Sequence, residues 1–171
     1  MNNVIENILT RRSVRSFTDQ SVSRENIEIL IKSALYAPSA RNLQTWKFTV
    51  LTRKSDIGEL SSAIGNVLNR TGYDMYDPAV LIIPSNKKDS PYGREDNACA
   101  LENIFLAAHS LGLGSVWINQ LQGICDEPEI RTLLKSYEIP DDHEVYGMAA
   151  IGYSSEVSAK AVEKAGTFKI I

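Results

Sequence analysis

The stretch DNACALENIFLAAHSLGLGSVWI, residues 96–118, carries the strongest secondary-structure signals in this chain. The part from Asp96 to Leu111 predicts its longest helix, because it contains no glycine or proline and carries apolar residues on nearly every side. A helix of this kind lies at the centre of a domain or in a subunit interface. Gly112 and Gly114 end the helix, and residues 115–118 then predict a short strand.

Further helices and strands lie on both sides of this unit. Apolar spacing predicts helices at residues 4–9 behind an Asn2 or Asn3 cap, at 24–35 behind Ser23, at 55–68, and after Asp126, which forms a capping box with Glu129. Strands are predicted at 47–52, 79–83 and 145–151, and a loop at 86–95. The strands are few, short and irregularly interleaved, so three layers with a mixed or antiparallel sheet fit better than a doubly wound parallel sheet.

Composition predicts a single domain, residues 1–171, that is 43% hydrophobic and has a net charge of -3. Such a chain lacks the broad basic surface that nucleic acid or an anionic membrane would need, so we expect neither partner. Two cysteines far apart and an N-terminus unlike a signal peptide favour the cytoplasm. With only His109 and His143 as imidazoles, no metal site is expected.

The segment RRSVRSF, residues 11–17, gathers three arginines and two serines directly after the first predicted helix. Guanidinium and hydroxyl groups placed so close together favour a phosphate. A basic helix end that merely complements the helix dipole explains the same residues about equally well.

The segment APSARNLQTWKF, residues 37–48, runs from a loop directly into a predicted strand. Ser39, Asn42 and Gln44 offer hydroxyl and amide groups that could bind the edge of a flat heterocycle, and Pro38 stiffens the loop. Ordinary turn chemistry is the simpler interpretation when the loop is considered alone.

No catalytic nucleophile is predicted. Cys99 and His109 share one predicted helix but have no acidic neighbour that would make them a catalytic pair. Tyr73, Tyr76 and Tyr92 could line a pocket for an aromatic substrate, although surface packing explains them nearly as well.

Taken in order, the motifs of the chain resemble the nitroreductase family of flavin enzymes. The resemblance rests on RRSVRSF, APSARNLQTWKF, DNACALENIFLAAHSLGLGSVWI and the closing AAIGY, and it covers nearly the whole chain. It implies an α+β fold, an intertwined homodimer with FMN in two sites at the dimer interface, and a C-terminal tail from about residue 153 that wraps the dimer.

The resemblance also implies residue roles. The FMN phosphate, ribityl chain and ring edge would be held by Arg11, Arg12, Ser13 and Arg15, with Lys164 completing the phosphate site. The partner subunit would border the ring with Pro38, Ser39, Ala40 and Asn42. Asn66 would reach the flavin. A backbone N–H of the segment Trp117, Ile118, Asn119 and Gln120 would face flavin N5.

The implied activity is hydride transfer from NADH or NADPH through flavin N5 to a nitroaromatic, quinone or similar conjugated acceptor, in a ping-pong cycle. Alternatives are a dehalogenase or flavin-consuming relative, an FMN carrier or redox-responsive module without turnover, and a flavin-free structural dimer. Two departures stand out. Thr45 replaces a common proline, and the short segment before Asp96 predicts a more open substrate pocket than in larger members.

Overall fold

The computed structural model of the chain describes residues 2–156 and 164–171. Within them the elements are, in order, α1 (Asn3–Thr10), α2 (Arg24–Leu35), a 3-10 turn (Ala40–Asn42), β1 (Trp46–Leu51), α3 (Lys54–Val67), β2 (Val80–Lys87), α4 (Gly93–Ser110), β3 (Gly114–Ile118), α5 (Pro128–Ser136), β4 (His143–Glu144) and β5 (Met148–Gly152). The predicted caps Asn2 and Ser23 begin α1 and α2 by accepting hydrogen bonds from the backbone N–H groups of Ile5 and Asn26. None of the helices in these ranges is long and apolar enough to cross a membrane.

The strands form one sheet in the order β1-β2-β5-β3, and β4 pairs with the far end of β2. Every strand pair is antiparallel, as where Trp46 lies opposite Asn86. The chain after α1 adds one parallel bridge at the outer edge of β3, between Ser13 and Ser115. The prediction of a mixed or antiparallel sheet flanked by helices is therefore confirmed.

Alternation along β2 sends its side chains into two separate cores. Leu81 and Ile83 belong to a core shared with α3 and α5, whereas Val80 and Ile82 belong to one shared with α2 and α4. Successive side chains of a strand point to opposite faces of the sheet, so β2 is covered on both sides. This explains why its sequence is continuously apolar and gives the three predicted layers.

The predicted loop at 86–95 is too long, because β2 continues to Lys87 and α4 already begins at Gly93. Pro84 does not end β2. It lies between the residues that pair with β5 and those that pair with β4, where a missing backbone N–H is tolerated. The buried Asn86 side chain donates to the Gly93 carbonyl at 3.4 Å and so ties the end of β2 to the start of α4.

The predicted capping box before α5 is wrong. The N-cap is Glu127, and no side chain caps it. Asp126 instead accepts hydrogen bonds from Lys88 at 2.7 Å and from Arg131 at 2.8 Å. Two charged donors outcompete a neutral backbone N–H for the same carboxylate.

The predicted strand at 145–151 is also corrected, since β5 begins only at Met148 and a separate β4 precedes it. Beyond β5 the chain turns back along residues 16–18. Thr18 donates its N–H to the Tyr153 carbonyl at 2.9 Å, and Ser155 donates to the Ser16 carbonyl at 3.1 Å. Residues 157–163 of the predicted tail lie outside the described residues.

One face of α1 is apolar and uncovered. Val4 and Leu9 are 65% and 64% exposed, and no residue of α1 is buried. The helix is attached to α4 through polar contacts, such as the bond from the Asn7 amide to the Leu106 carbonyl at 2.9 Å. An apolar stripe of this size on a surface helix is typical of an interface.

Candidate cofactor site

The arginine-rich segment is fixed at the outer edge of β3. Val14 donates its N–H to the Ser115 carbonyl at 2.9 Å. This close approach requires glycine at position 114, because a Cβ there would lie 2.8 Å from Cβ of Val14. Strand pairing thus determines where the neighbouring arginines stand.

A cavity of about 260 Å³ lies beside this segment, here called the arginine cavity. It is lined by Arg11, Arg12, Ser13, Arg15 and Lys164. Lys164 comes from the other end of the chain, so folding brings together the five residues that were predicted to hold the FMN phosphate, ribityl chain and ring edge. Four of them are cationic, and the described lining contains no carboxylate. The cavity therefore favours an anion.

The arginines of this cavity differ in how many charged and polar partners they have among the described residues. Arg11 lies 3.7 Å from the Glu102 carboxylate, and its guanidinium stands 5.9 Å from the centre of the Phe105 ring. Arg12 and Arg15 form no ion pair with any described residue, and the Nε of Arg12 is buried without a hydrogen-bond partner there. Their charge is available to a ligand.

The segment predicted to border the ring lies elsewhere, at the start of α4. In the 39–44 loop, the Ser39 hydroxyl and the Ala40 N–H both donate to Asp96 at 2.9 Å. Asn42 has a positive φ of 55°. Together with Pro38, these residues do not line the arginine cavity of their own chain within the described lining. The expectation that they serve a second copy stays a prediction.

Asn66 stands in the last turn of α3 and donates to Glu129 at 3.2 Å. It lines a second cavity of about 490 Å³, here called the Arg70 cavity, with Arg70 and Tyr73 among the other lining residues. Burial raises the pKa of Tyr73 to about 12. Its hydroxyl therefore stays protonated.

The three tyrosines singled out in the sequence do not share this cavity. Tyr73 alone lines it among them, while Tyr76 is exposed. The ring of Tyr92 lies under the Arg41 guanidinium, 5.8 Å from ring centre to the guanidinium carbon. The predicted tyrosine pocket is thus reduced to a single residue.

The segment 117–119 leaves the end of β3. The Trp117 ring lies against Gly147, where a Cβ would come within 2.5 Å of the indole, and its Nε1 donates to Asn119 at 3.2 Å. Ile118 is buried in the core. The Asn119 N–H bonds to the Gln120 side chain at 3.0 Å, so a ligand would have to displace that side chain to reach this N–H.

A buried Ser–His contact also occurs in the sheet. Ser85 Oγ lies 2.9 Å from His143 Nδ1, and burial is the main cause that lowers the pKa of His143. Both side chains are enclosed, so no substrate can reach them, and the pair is structural. Among the described residues, no group of three His, Cys, Asp or Glu could hold a metal ion.

Comparison with known proteins identifies the family. The model of the nitroreductase family matches residues 8–153 of the chain. The chain belongs to the nitroreductase family. The resemblance predicted from its motifs is confirmed.

Relatives of this nitroreductase-family chain match it over most of their length. A protein of Archaeoglobus fulgidus, named as an NADH dehydrogenase/NAD(P)H nitroreductase, is 32% identical over 162 residues, which are 91% of this chain and 88% of that protein. The FMN reductase (NADPH) of Bacillus subtilis is 29% identical, over 94% of this chain and 69% of that protein.

The crystal structure of a nitroreductase with bound FMN from Bacteroides fragilis has 35% sequence identity, a TM-score of 0.94, and full coverage of both chains. This likeness confirms the predicted α+β fold.

Two residues that contact the candidate site residues escaped the sequence reasoning. Glu102 is the acidic partner of Arg11, and Asp96 anchors the 39–44 loop. A signal existed for Asp96, because an aspartate at the start of a helix that is apolar all round must be buried or satisfied locally.

Proposed function

We propose that this chain is an NAD(P)H-dependent FMN oxidoreductase whose arginine cavity binds the FMN phosphate. One observation carries the proposal: four cationic side chains and a hydroxyl line one cavity, with no carboxylate in the described lining. A phosphate monoester carries close to two negative charges and accepts paired N–H bonds from guanidinium groups, so it matches these donors. The named activities of the relatives support the same assignment.

The unsatisfied groups of the cavity fit this cofactor. The buried Nε of Arg12 has no described partner. The Arg15 side chain forms no ion pair with a described residue, and the Glu156 carboxylate beside it accepts the backbone N–H of Arg15 at 3.3 Å. The chemistry that FMN would supply in this site is hydride transfer from NADH or NADPH and electron transfer to an acceptor, in a ping-pong cycle. The cavity residues would hold its phosphate and ribityl chain. The ring would be met by Asn66, Trp117, Ile118 and Asn119 of the same chain and by Pro38, Ser39, Ala40 and Asn42 of a second copy.

The chain's own contribution is binding and electrostatic orientation rather than a reactive side chain. Cations gathered in a partly enclosed cavity favour the more negative form of a bound ligand. The Arg70 cavity, which shares Asn66 with the proposed flavin contacts, offers room for a planar acceptor. We therefore propose a nitroaromatic, a quinone or a similar conjugated molecule as the acceptor.

A homodimer completes the proposed site. The uncovered apolar face of α1 provides a surface that a second copy would bury, and Val4 and Leu9 are its most exposed residues. At the other end of the chain, Phe168, Ile170 and Ile171 are also exposed. Burying such groups is worth about 25 cal/mol per Å², so both surfaces favour association.

We also propose that the protein works in the cytoplasm. Cys99 and Cys125 are both free thiols. Burial raises the pKa of Cys125 to about 11, so this thiol stays protonated and unreactive at neutral pH. Free cysteines of this kind persist in a reducing compartment.

An absorption spectrum tests the function. The purified protein is reconstituted with FMN and then given NADH or NADPH under anaerobic conditions. We expect a bound flavin that bleaches rapidly. A bound flavin that stays yellow would favour a carrier without nicotinamide turnover, and failure to bind FMN would overturn the proposal.

A further inference from the structure

Asp96 is a buried carboxylate outside the arginine cavity. It is 3% exposed and lies in the first turn of α4. Its Oδ2 accepts a hydrogen bond from the Ser39 hydroxyl at 2.9 Å, and its Oδ1 accepts one from the Ala40 N–H, also at 2.9 Å. A buried carboxylate is stable only when its oxygens are satisfied, and the two donors from this loop do so.

The direction of the hydrogen bonds follows from the chemistry of these groups. The Asp96 oxygen is the acceptor, so the Ser39 hydroxyl uses its hydrogen in the bond to Asp96. The Ser39 oxygen is then free to accept a second bond, which comes from the Gln44 N–H at 3.0 Å. Through Ser39, one carboxylate orders both ends of the 39–44 loop.

The backbone of this loop needs an external restraint. Arg41 and Asn42 each have a φ of 55°, and Gln44 has a φ of 48°. Residues other than glycine rarely adopt this left-handed conformation unless their surroundings hold them there. The only described carboxylate that bonds to the loop is Asp96, and it lies in the first turn of α4.

We infer that Asp96 is a positioning residue that fixes Ser39, Ala40 and Asn42 in the conformation in which they meet the FMN ring. The inference rests on the proposed function, since the ring contacts of this loop belong to that proposal. In Asp96→Asn the side chain has nearly the same shape, but one of the two loop donors now faces an NH₂ group instead of an oxygen. The Ser39 hydroxyl can then bond to position 96 only by accepting from that NH₂ group, and the loop loses both of its charge-assisted anchors.

The matched control is Glu95→Gln. Glu95 lies beside Asp96 in the same helical turn, is exposed, and forms no described hydrogen bond. Both substitutions remove one negative charge from the start of α4, so they change the interaction with the helix dipole alike. Only Asp96→Asn disturbs the loop.

The experiment has two readouts. Amide hydrogen exchange of Ala40 and Gln44 is measured by NMR in the FMN-free protein, and FMN affinity and visible circular dichroism are measured in the holoprotein. We expect Asp96→Asn to speed exchange at both amides and to raise the Kd for FMN, each by about tenfold or more, because a hydrogen bond to a charged group is lost. The flavin circular dichroism should change at saturating FMN. Glu95→Gln should match the unmodified protein throughout.

Each other outcome has a distinct meaning. Faster exchange with unchanged affinity and dichroism would show that Asp96 is purely structural and would overturn the inference. Unchanged exchange would also overturn it. A parent protein that does not bind FMN would overturn the proposed function instead, before any variant is compared. If Asp96→Asn fails to fold, Asp96→Glu keeps the charge, displaces the carboxylate by one methylene and is judged by the same measurements.

Discussion

In the arginine cavity positive charge is left uncompensated, whereas in the 39–44 loop the polar groups are paired within the chain. Arg12 and Arg15 have no described ion pair, while Ser39 and Ala40 both bond to Asp96. The first region presents positive charge that a bound anion would compensate. The second is already held in a conformation that its own backbone would not choose. A binding site can thus combine unsatisfied charge, which provides affinity, with a prearranged loop, which provides orientation.

Removing charge from the arginine cavity should have the largest effect. We expect Arg12→Ala together with Arg15→Ala to raise the Kd for FMN by about a hundredfold or more, since each charge-assisted bond contributes about 1.5–3 kcal/mol. Fluorescence titration of FMN measures this. Arg24→Ala, which breaks only an exposed ion pair with Glu28, is the control. An unchanged Kd in the double variant would refute the phosphate assignment.

A single methyl group should displace the segment that carries these arginines. In Gly114→Ala the new Cβ would lie 2.8 Å from Val14, so we expect the free energy of unfolding to fall by about 1–3 kcal/mol and FMN to bind more weakly. Gly58→Ala has open space in α3 and should instead stabilise by about 0.5–1 kcal/mol. Urea denaturation compares the two. Equal stabilities would show that the 11–15 segment can shift freely.

The 39–44 loop is followed by a second anchor, which allows a smaller test. The Thr45 hydroxyl donates to the buried Asn86 at 2.6 Å, and Thr45→Val leaves that acceptor without this bond. We expect a loss of about 1 kcal/mol in the free energy of unfolding. The exposed Thr52→Val is the control, and thermal denaturation is the measurement. A Tm equal to that of the control would show that Asp96 alone holds the loop.

A substitution outside both regions measures how much an exposed ion pair contributes to the free energy of unfolding. Hydrogen bonding from Lys88 is the main cause that holds the pKa of Asp126 below its usual 3.8. The stability from this ion pair is present above that usual pKa and is lost as pH falls through the lower folded value. Asp126→Asn should therefore cost less than about 1 kcal/mol at pH 7, because the carboxylate is largely exposed. Denaturation at decreasing pH should show the gap between the two proteins closing; a gap that widens in acid would contradict this.

Local patterns predicted the helices and the layer arrangement well, because apolar spacing and caps are local properties. Ser23 begins α2 as expected. The prediction of Asp126 as a helix cap was wrong because Lys88, which competes for its carboxylate, is distant in sequence. No local pattern reveals that competition. The prediction that β2 ends at residue 83 was wrong for the same reason. The continuation of β2 through Pro84 depends on which strand lies beside each residue.

The candidate site likewise contains residues that a local sequence pattern revealed and residues that it did not. The arginines were recognisable as a cluster, because three of them stand close together in the sequence. Lys164 joined them only through the family resemblance, and the structure places it at the same cavity. The role of Asp96 depends on a contact with residues 39 and 40, more than fifty positions earlier, which apolar periodicity cannot report.

The apolar face of α1 bears on how the protein is produced in a cell. In the proposed homodimer a second copy covers Val4 and Leu9, so a newly synthesised chain would carry them exposed to water until it meets that copy, and exposed apolar surface promotes aggregation. Yield of active protein should then depend on how quickly two chains encounter each other. Synthesis of neighbouring chains on one message would shorten that interval, so translation rate and chaperone supply become determinants of how much flavoenzyme accumulates.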